Sequence, residues 1–188
     1  MKDNYSLFYN YRHIGDVLIV IFDNDKSPTR NERKKDVEVI YHQDEVIGYN
    51  IFNIRNVVKI KSEGLIYRPS PTLIGVINNI LKNSGVEELA VIDESGYIIG
   101  EVINIEKDQI LIDIKKEKVS TLNQQFPLNV GDKVVIAQIG TRLNTGVKVK
   151  QTAHLCLEKD LQISEEDKVL ILDKDEEIGK DFFTTEVK

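Results

Sequence analysis

The chain reads Val130-Gly-Asp-Lys-Val-Val-Ile-Ala-Gln-Ile-Gly-Thr-Arg-Leu-Asn-Thr-Gly-Val-Lys-Val-Lys150 at the point that decides its fold. Lys133–Ile139 is β-branched and apolar and is bounded by glycines, which predicts a strand buried on at least one side. In Val147–Lys150 apolar and cationic residues alternate. Because successive side chains of a strand point to opposite faces, the valines are predicted to enter a core and both lysines to face solvent.

Two like charges on one face of a strand allow two interpretations. They keep an alternating strand soluble, or they form part of a surface for an anionic partner. The pattern of this stretch alone favours neither strongly, so the rest of the chain has to decide between them.

Composition restricts the class of protein. The 188 residues leave room for one large or two small domains, each with its own core. A net charge of -6 argues against nonspecific binding of nucleic acid or membranes over the whole surface. The single cysteine excludes an internal disulfide framework and fits a reducing compartment. The longest wholly apolar run, Val17–Phe22, is too short to cross a bilayer, so we expect a soluble cytoplasmic protein.

The charge is distributed unevenly along the chain. Residues 107–150 contain 8 basic and 4 acidic side chains, whereas residues 151–188 contain 5 basic and 11 acidic ones. An overall negative charge can therefore hide a local basic face, and the acidic segment that follows could neutralise that face.

Residues 1–88 are predicted to form an α+β domain of unknown role, an antiparallel sheet with a covering helix. Polar composition predicts a surface loop over Asp23–Lys35, and Asn53–Gly64 fits a helix and a strand equally well. The predicted strands are Asp16–Phe22, Val37–Tyr41 and Val46–Phe52.

The clearest helix begins after Ser70, which is placed to cap it, and ends before Gly85. Pro71 occupies the first helical position, where its missing N–H costs nothing. One face of this helix is apolar and is predicted to cover the sheet. That face carries Leu73, Ile74, Ile77, Ile80 and Leu81.

Residues 89–188 are predicted to form an all-β barrel with the oligonucleotide-binding (OB) fold. Their short strands and turn residues have the spacing of a small barrel, and Gly100 lies inside a strand at a position typical of a bulge or sharp bend.

The sequence contains little that resembles a catalytic or metal site. The histidines His13, His42 and His154 lie in unrelated segments without metal-ligand spacing, and Cys156 has an apolar neighbourhood. No nucleophile elbow or phosphate loop occurs. We therefore expect a non-enzymatic protein with no catalytic residues, metal, cofactor or small-molecule substrate. An enzyme built on the N-terminal domain is the weakest hypothesis.

The basic residues of the barrel are more informative. In a closed barrel the strands that carry them can lie side by side, and such barrels bind oligonucleotides on one face. A stacking aromatic is missing there, because Phe126 is the only ring between Lys107 and Lys150. Backbone contacts should therefore outweigh base readout. The predicted RNA-binding residues are Lys115, Lys116, Lys118, Arg142, Lys148 and Lys150.

The chain resembles the YtpR-like tRNA-binding proteins of Gram-positive bacteria. Its N-terminal motifs are Tyr9-Asn10, Gly15-Asp-Val-Leu18 and Gly48-Tyr-Asn-Ile-Phe-Asn53. Its barrel motifs are Gly100, Val130–Ala137, Gly140 and Gly146. The resemblance implies an N-terminal α/β domain followed by the OB barrel that is also found near the start of the phenylalanyl-tRNA synthetase beta chain, and it implies tRNA or another structured RNA as the partner.

Three loops depart from the family pattern. Glu106-Lys-Asp108 replaces a His-Pro-x-Ala-Asp-Lys loop, and Asn123–Asn129 replaces a segment containing Ala-Pro-Asn. Gln151-Thr-Ala153 replaces an Arg-Gly-Val-x-Ser segment. These losses leave an alternative open, namely a protein-interaction or dimerisation module, including a homodimer, whose RNA-binding face has degenerated.

Overall fold

The structure, a computed structural model, describes residues 1–183 and divides into two compact units. The first unit comprises Met1–Asp93, and the second begins at Glu94. Each unit is built around one antiparallel sheet, and the described residues are mostly β with few helices. No helix within residues 1–183 is long and apolar enough to cross a membrane.

The first unit contains a six-stranded sheet. Its elements, in chain order, are β1 (Ser6–Tyr9), α1 (Tyr11–Ile14), β2 (Val17–Ile21), β3 (Arg30–Lys34), β4 (Val37–His42), β5 (Glu45–Phe52), a 3-10 helix (Ile54–Asn56), β6 (Gly64–Ile66) and α2 (Pro71–Asn83). The strands lie in the order β3-β4-β5-β2-β1-β6. The ambiguous segment Asn53–Gly64 thus contains the 3-10 helix and ends at the first residue of the edge strand β6.

Strand β3 was not predicted. It lies within the segment Asp23–Lys35, for which a surface loop was expected. All five of its residues are polar or charged, so no apolar period marks it. Pairing with β4 forms the strand instead, and two arginines of β3 stabilise it by contacts with aromatic rings of β4 and β5. The Arg30 guanidinium lies 3.6 Å from the centroid of the Tyr41 ring, and that of Arg33 lies 3.8 Å from the Phe52 ring.

Helix α2 was predicted correctly at both ends. The Ser70 hydroxyl accepts a hydrogen bond from the Leu73 amide at 3.2 Å, and Gly85 adopts the left-handed conformation beyond the C-terminus. Its apolar face is buried through Ile74, Ile77 and Leu81, which share one hydrophobic core with residues of β1, β2, β4 and β5. Each such side chain contributes about 1.5–3 kcal/mol by leaving water.

The second unit contains a sheet in the strand order β11-β10-β7-β8-β9, with β12 paired to β10. Its strands are β7 (Tyr97–Ile105), β8 (Gln109–Asp113), β9 (Lys118–Leu122), β10 (Lys133–Ala137), β11 (His154–Leu155) and β12 (Ile171–Leu172). The first and last strands of that order meet, because the Leu155 amide of β11 donates to the Thr121 hydroxyl of β9 at 3.2 Å. The sheet is therefore strongly curled around a core that includes Val102, Ile112 and Val134.

Gly100 of β7 lies in close contact with the neighbouring strand β8. A Cβ atom at this position would lie 2.4 Å from Cγ2 of Ile112 and 3.2 Å from the carbonyl oxygen of Asp113. The register shift between β7 and β8 falls two residues later, between Val102 and Asn104. Gly100 therefore permits a close approach of neighbouring strands and is not itself the bulged residue.

Candidate functional site

Three of the predicted basic residues lie where β8 turns into β9. The turn is closed by the Ile114 amide, which donates to the Glu117 carbonyl at 3.0 Å. Lys115 and Lys116 are exposed at this turn, and Lys118 begins β9 opposite Asp113. The hairpin thus presents three cations within four positions.

The other three residues lie in the connection between β10 and β11. The predicted second strand, Val147–Lys150, is wrong in part, because only an isolated bridge between Arg142 and Lys148 forms. Val149 is buried as predicted, but Val147 is 59% exposed. A short ladder replaces the strand, in which the Val149 amide donates to the Thr141 carbonyl and the Gly140 amide to the Val149 carbonyl, each at 2.8 Å.

Arg142 differs from the predicted lysines because it is only 7% exposed. Its Nη1 donates to the Gly146 carbonyl at 2.9 Å, across the turn of the loop. Its own carbonyl accepts a hydrogen bond from the buried Tyr97 hydroxyl at 2.9 Å. The guanidinium therefore fixes the shape of the loop that carries Lys148 and Lys150.

A groove runs along β9 beside the segment that enters β11. Two adjoining depressions of about 340 and 290 Å³ share Ser120 and Thr152 in their walls. The other lining side chains are of three kinds: uncharged hydrogen-bonding groups such as Gln138 and Gln151, apolar groups such as Val119, and charged groups. The acidic ones are Glu106, Asp108 and Glu117. Lys118 and Lys150 are chain neighbours of lining residues, and Lys107 lines the second depression.

Sequence reasoning did not identify the lining residues of this groove. Ser120 alternates with the buried Thr121 along β9, so the period of two would have placed it on the outer face. Gln138, Gln151 and Thr152 carry no comparable signal, because they come together only when the sheet curls.

An acidic segment, residues 173–181, contacts one end of the predicted basic face. The Lys115 ammonium donates to Glu177 at 2.7 Å, and Lys180 lies 3.2 Å from the same carboxylate. The hydrogen bond from Lys115, reinforced by Lys180, holds the pKa of Glu177 below its ordinary value. The backbone fixes this segment to β7, since the Gly179 amide donates to the Ile99 carbonyl at 2.7 Å.

His154 of β11 is half-buried and forms a polar pair with the buried Asp160. His154 Nε2 lies 2.9 Å from Asp160 Oδ2, which also accepts a hydrogen bond from the Leu157 amide at 2.9 Å. Cys156 is fully buried next to this pair, and burial raises the pKa of its thiol, so its expected place in the core is confirmed. Within residues 1–183 no group of three or more His, Cys, Asp or Glu side chains could hold a metal ion.

Comparison with known proteins gives two matches. Residues 24–93 match a family model described as "Domain of unknown function (DUF4479)", and the match ends at the last residue of the first unit. The chain is also 28% identical over 199 aligned positions to a Bacillus subtilis (strain 168) protein named "Putative tRNA-binding protein YtpR". That alignment covers 94% of this chain and 98% of the relative. The resemblance to the YtpR-like proteins is therefore confirmed, and it extends over nearly the whole chain.

Proposed function

We propose that this protein is a non-enzymatic, cytoplasmic RNA-binding protein whose partner is tRNA or another structured RNA. The observation that carries the proposal is the groove along β9, where hydroxyl and amide side chains share the walls with Lys107, and where Lys118 and Lys150 adjoin lining residues in the chain. The name of the Bacillus subtilis relative supports RNA as the partner. A two-domain division at residues 1–88 and 89–188, with the second domain an OB barrel, belongs to the same proposal.

The strand arrangement of the second unit supports an OB barrel. Strand β7 is central, with β8 and β9 on one side and β10 and β11 on the other, and the Thr121–Leu155 hydrogen bond brings the two ends of the sheet together. Barrels of this kind bind single-stranded or structured nucleic acid on one face and in the adjoining loops. In this proposal the groove along β9 is that face.

Positive charge at the rim supplies the affinity in this proposal. Lys118 and Lys150 flank the groove, and Lys115, Lys116 and Lys148 extend the basic face on either side. Arg142 contributes by holding the loop in shape. Ammonium groups bind phosphates as point charges, whereas the walls offer hydroxyl and amide groups to ribose 2′-hydroxyls and base edges. The expected mode is backbone recognition with little sequence preference.

Replacing both Lys118 and Lys150 with alanine is expected to weaken binding of bulk tRNA about tenfold at low salt, because two phosphate contacts are lost. For the unchanged protein, about five contacts give a slope of log affinity against log salt of roughly -3.5 to -4.5. The double variant should be shallower by roughly 1.5 to 2. Gel-shift or fluorescence-anisotropy titrations at several salt concentrations measure both quantities.

Lys174→Ala provides the matched control for this experiment. Lys174 is an exposed lysine of the same unit, but it lies in the acidic segment and not at the groove. Its replacement should leave both affinity and slope close to those of the unchanged protein. Equal losses in the control and the double variant would reject the groove as the site, and no binding of bulk tRNA at tens of micromolar protein would reject the function.

The acidic segment leads to a second prediction. Glu177→Gln is expected to strengthen RNA binding about twofold, because an exposed ion pair is weak and its loss frees Lys115 for a phosphate. Glu165→Gln makes the same change of net charge at an exposed carboxylate elsewhere in the unit and should have a smaller effect. If both variants bind RNA equally well, the contact between Glu177 and Lys115 does not limit RNA binding.

A protein-interaction or dimerisation module is the second candidate function. It is favoured by the ion pair that already occupies Lys115 and by the altered loop Glu106-Lys-Asp108, which places two carboxylates at one end of the groove. A pull-down whose partners survive nuclease treatment, together with a mass measurement in solution, would support this function.

A further inference from the structure

The first unit presents an exposed group of side chains that we call the Tyr11 platform, formed by Tyr11, Ile14, Arg55 and Val57. None of the four residues of α1 is buried, and Tyr11 is 49% exposed. Ile14 and Val57 are 45% and 61% exposed. A helix this short without a buried face is not held in place by packing.

Hydrogen bonds hold the platform instead, and they are made by residues of the N-terminal motifs Tyr9-Asn10 and Gly15–Leu18. The Asn10 side chain accepts from the His13 amide at 3.2 Å and caps α1. The Asp16 carboxylate accepts from the Tyr9 hydroxyl at 3.1 Å and from the Arg55 amide at 3.2 Å. These contacts tie the start of the 3-10 helix to the end of β1. Tyr9, Asn10 and Asp16 therefore hold in place neighbouring residues that face solvent.

The exposed surface of the platform is the Tyr11 ring with the Arg55 guanidinium packed on it. The Arg55 guanidinium lies 4.1 Å from the centroid of the Tyr11 ring. Tyrosine rings and guanidinium planes are the two surfaces on which proteins stack unpaired RNA bases, and the arginine also carries the charge that attracts a phosphate. Arg12 lies on the same short helix and pairs with Glu63 at 3.0 Å.

Among the described residues of the second unit, 94–183, no aromatic ring is as exposed as that of Tyr11. Phe126, the only aromatic residue between Lys107 and Lys150, is partly buried and packs against the core of the second unit. A protein that binds RNA only through the basic face of its second unit would have no stacking contact there. The platform supplies this chemistry in the unit whose role is otherwise unassigned.

We propose that the Tyr11 platform is a second RNA contact, which binds an unpaired nucleotide by stacking its base on Tyr11 and Arg55. The inference rests on the proposed function, since it names a further contact with the same RNA. An RNA is favoured over a protein partner because the exposed ring of Tyr11 carries the Arg55 guanidinium, and unpaired bases stack on both kinds of surface.

The test compares Tyr11→Ala, Tyr11→Phe and Arg55→Ala in the full chain, with bulk tRNA and with a short unstructured oligoribonucleotide as probes. Stacking is worth about 1–3 kcal/mol per base, so Tyr11→Ala should weaken binding between about fivefold and a hundredfold. Tyr11→Phe should retain affinity. The salt slope should stay unchanged in Tyr11→Ala, because a stacked ring releases no counterion.

Arg30→Ala is the matched control for Arg55→Ala, because Arg30 also lies on a tyrosine ring, that of Tyr41. This second pair joins the edge strand β3 to β4, whereas Tyr11 directly follows β1, which β5 and β2 separate from β4 in the sheet. Arg30→Ala should therefore leave affinity unchanged, whereas Arg55→Ala lowers it. Thermal unfolding of each variant confirms that the fold is intact.

The outcomes separate the two proposals. If Lys118→Ala with Lys150→Ala weakens RNA binding but Tyr11→Ala does not, the platform is rejected and the groove along β9 stands. A platform that serves a protein partner would give this result. If the unchanged protein binds neither probe, both proposals are rejected.

Discussion

Replacing Asp160 with alanine is expected to lower the free energy of unfolding of the second unit by about 3 kcal/mol, because a buried carboxylate is lost together with the hydrogen bonds that it accepts. Asp160 is 4% exposed and accepts from both His154 and the Leu157 amide. Without it, the Leu157 amide is left without an acceptor where water does not reach. Hydrogen exchange of the 154–161 segment and urea unfolding measure the loss.

The same carboxylate makes stability depend on pH. Burial by itself raises the pKa of Asp160, but the hydrogen bonds from His154 and the Leu157 amide outweigh burial, so the pKa lies below its ordinary value of 3.8. The folded state therefore gains stability from the ionised form above pH 3.8, and this gain is lost as pH falls through the lower folded value. Asp160→Asn should remove that acid-dependent part while preserving one acceptor oxygen. If the free energy of unfolding falls equally with decreasing pH in the unchanged protein and in Asp160→Asn, Asp160 does not contribute to the loss of stability in acid.

Gly100→Ala is the second substitution with a large expected effect. The added Cβ would lie 2.4 Å from Cγ2 of Ile112, which is fully buried, and 3.1 Å from Cγ2 of Ile114. Because the neighbours on that side are packed side chains and the backbone of β8, the strands would have to separate. Overpacking of this kind costs about 1–3 kcal/mol, and we expect the upper end.

Gly75→Ala is the control that separates crowding from the loss of a glycine. Gly75 is an exposed residue of α2, and a Cβ there would meet nothing within 4 Å. Alanine should therefore raise stability by about 0.5–1 kcal/mol through its better helix propensity. Urea unfolding of the two variants should shift in opposite directions. A stable Gly100→Ala variant would show that β7 and β8 can move apart freely.

The sequence predicted the elements whose signals lie within the element itself, and it missed those that depend on distant residues. Helix α2 was predicted completely, because Ser70, Pro71 and Gly85 act on their own turns of helix. Strand β3 was missed because it is formed by pairing with β4 and by guanidinium contacts with rings that come from other strands. The strand expected at Val147–Lys150 is replaced by a bridge and a short ladder, because its hydrogen-bond partners are residues 140–143 of the same loop.

The candidate site was predicted in its charges but not in its geometry. The lysines could be read from composition, since a local excess of positive charge needs no fold to be counted. Arg142 has the same charge, yet its place inside a loop follows from the carbonyl of Gly146 four residues later. The groove and the contact between Glu177 and Lys115 join segments far apart in the chain, 62 residues apart in the second case, so no local pattern indicates them.

The two edges of the sheet in the first unit have a consequence for self-association. An open sheet ends in unpaired backbone groups that can add a strand from another molecule, and proteins prevent this with charged or very short edge strands. Here β3 is wholly polar and is held by Arg30 and Arg33, and the opposite edge, β6, has three residues. Neither edge is a good template for intermolecular strand pairing, so the protein should resist edge-driven aggregation at high concentration.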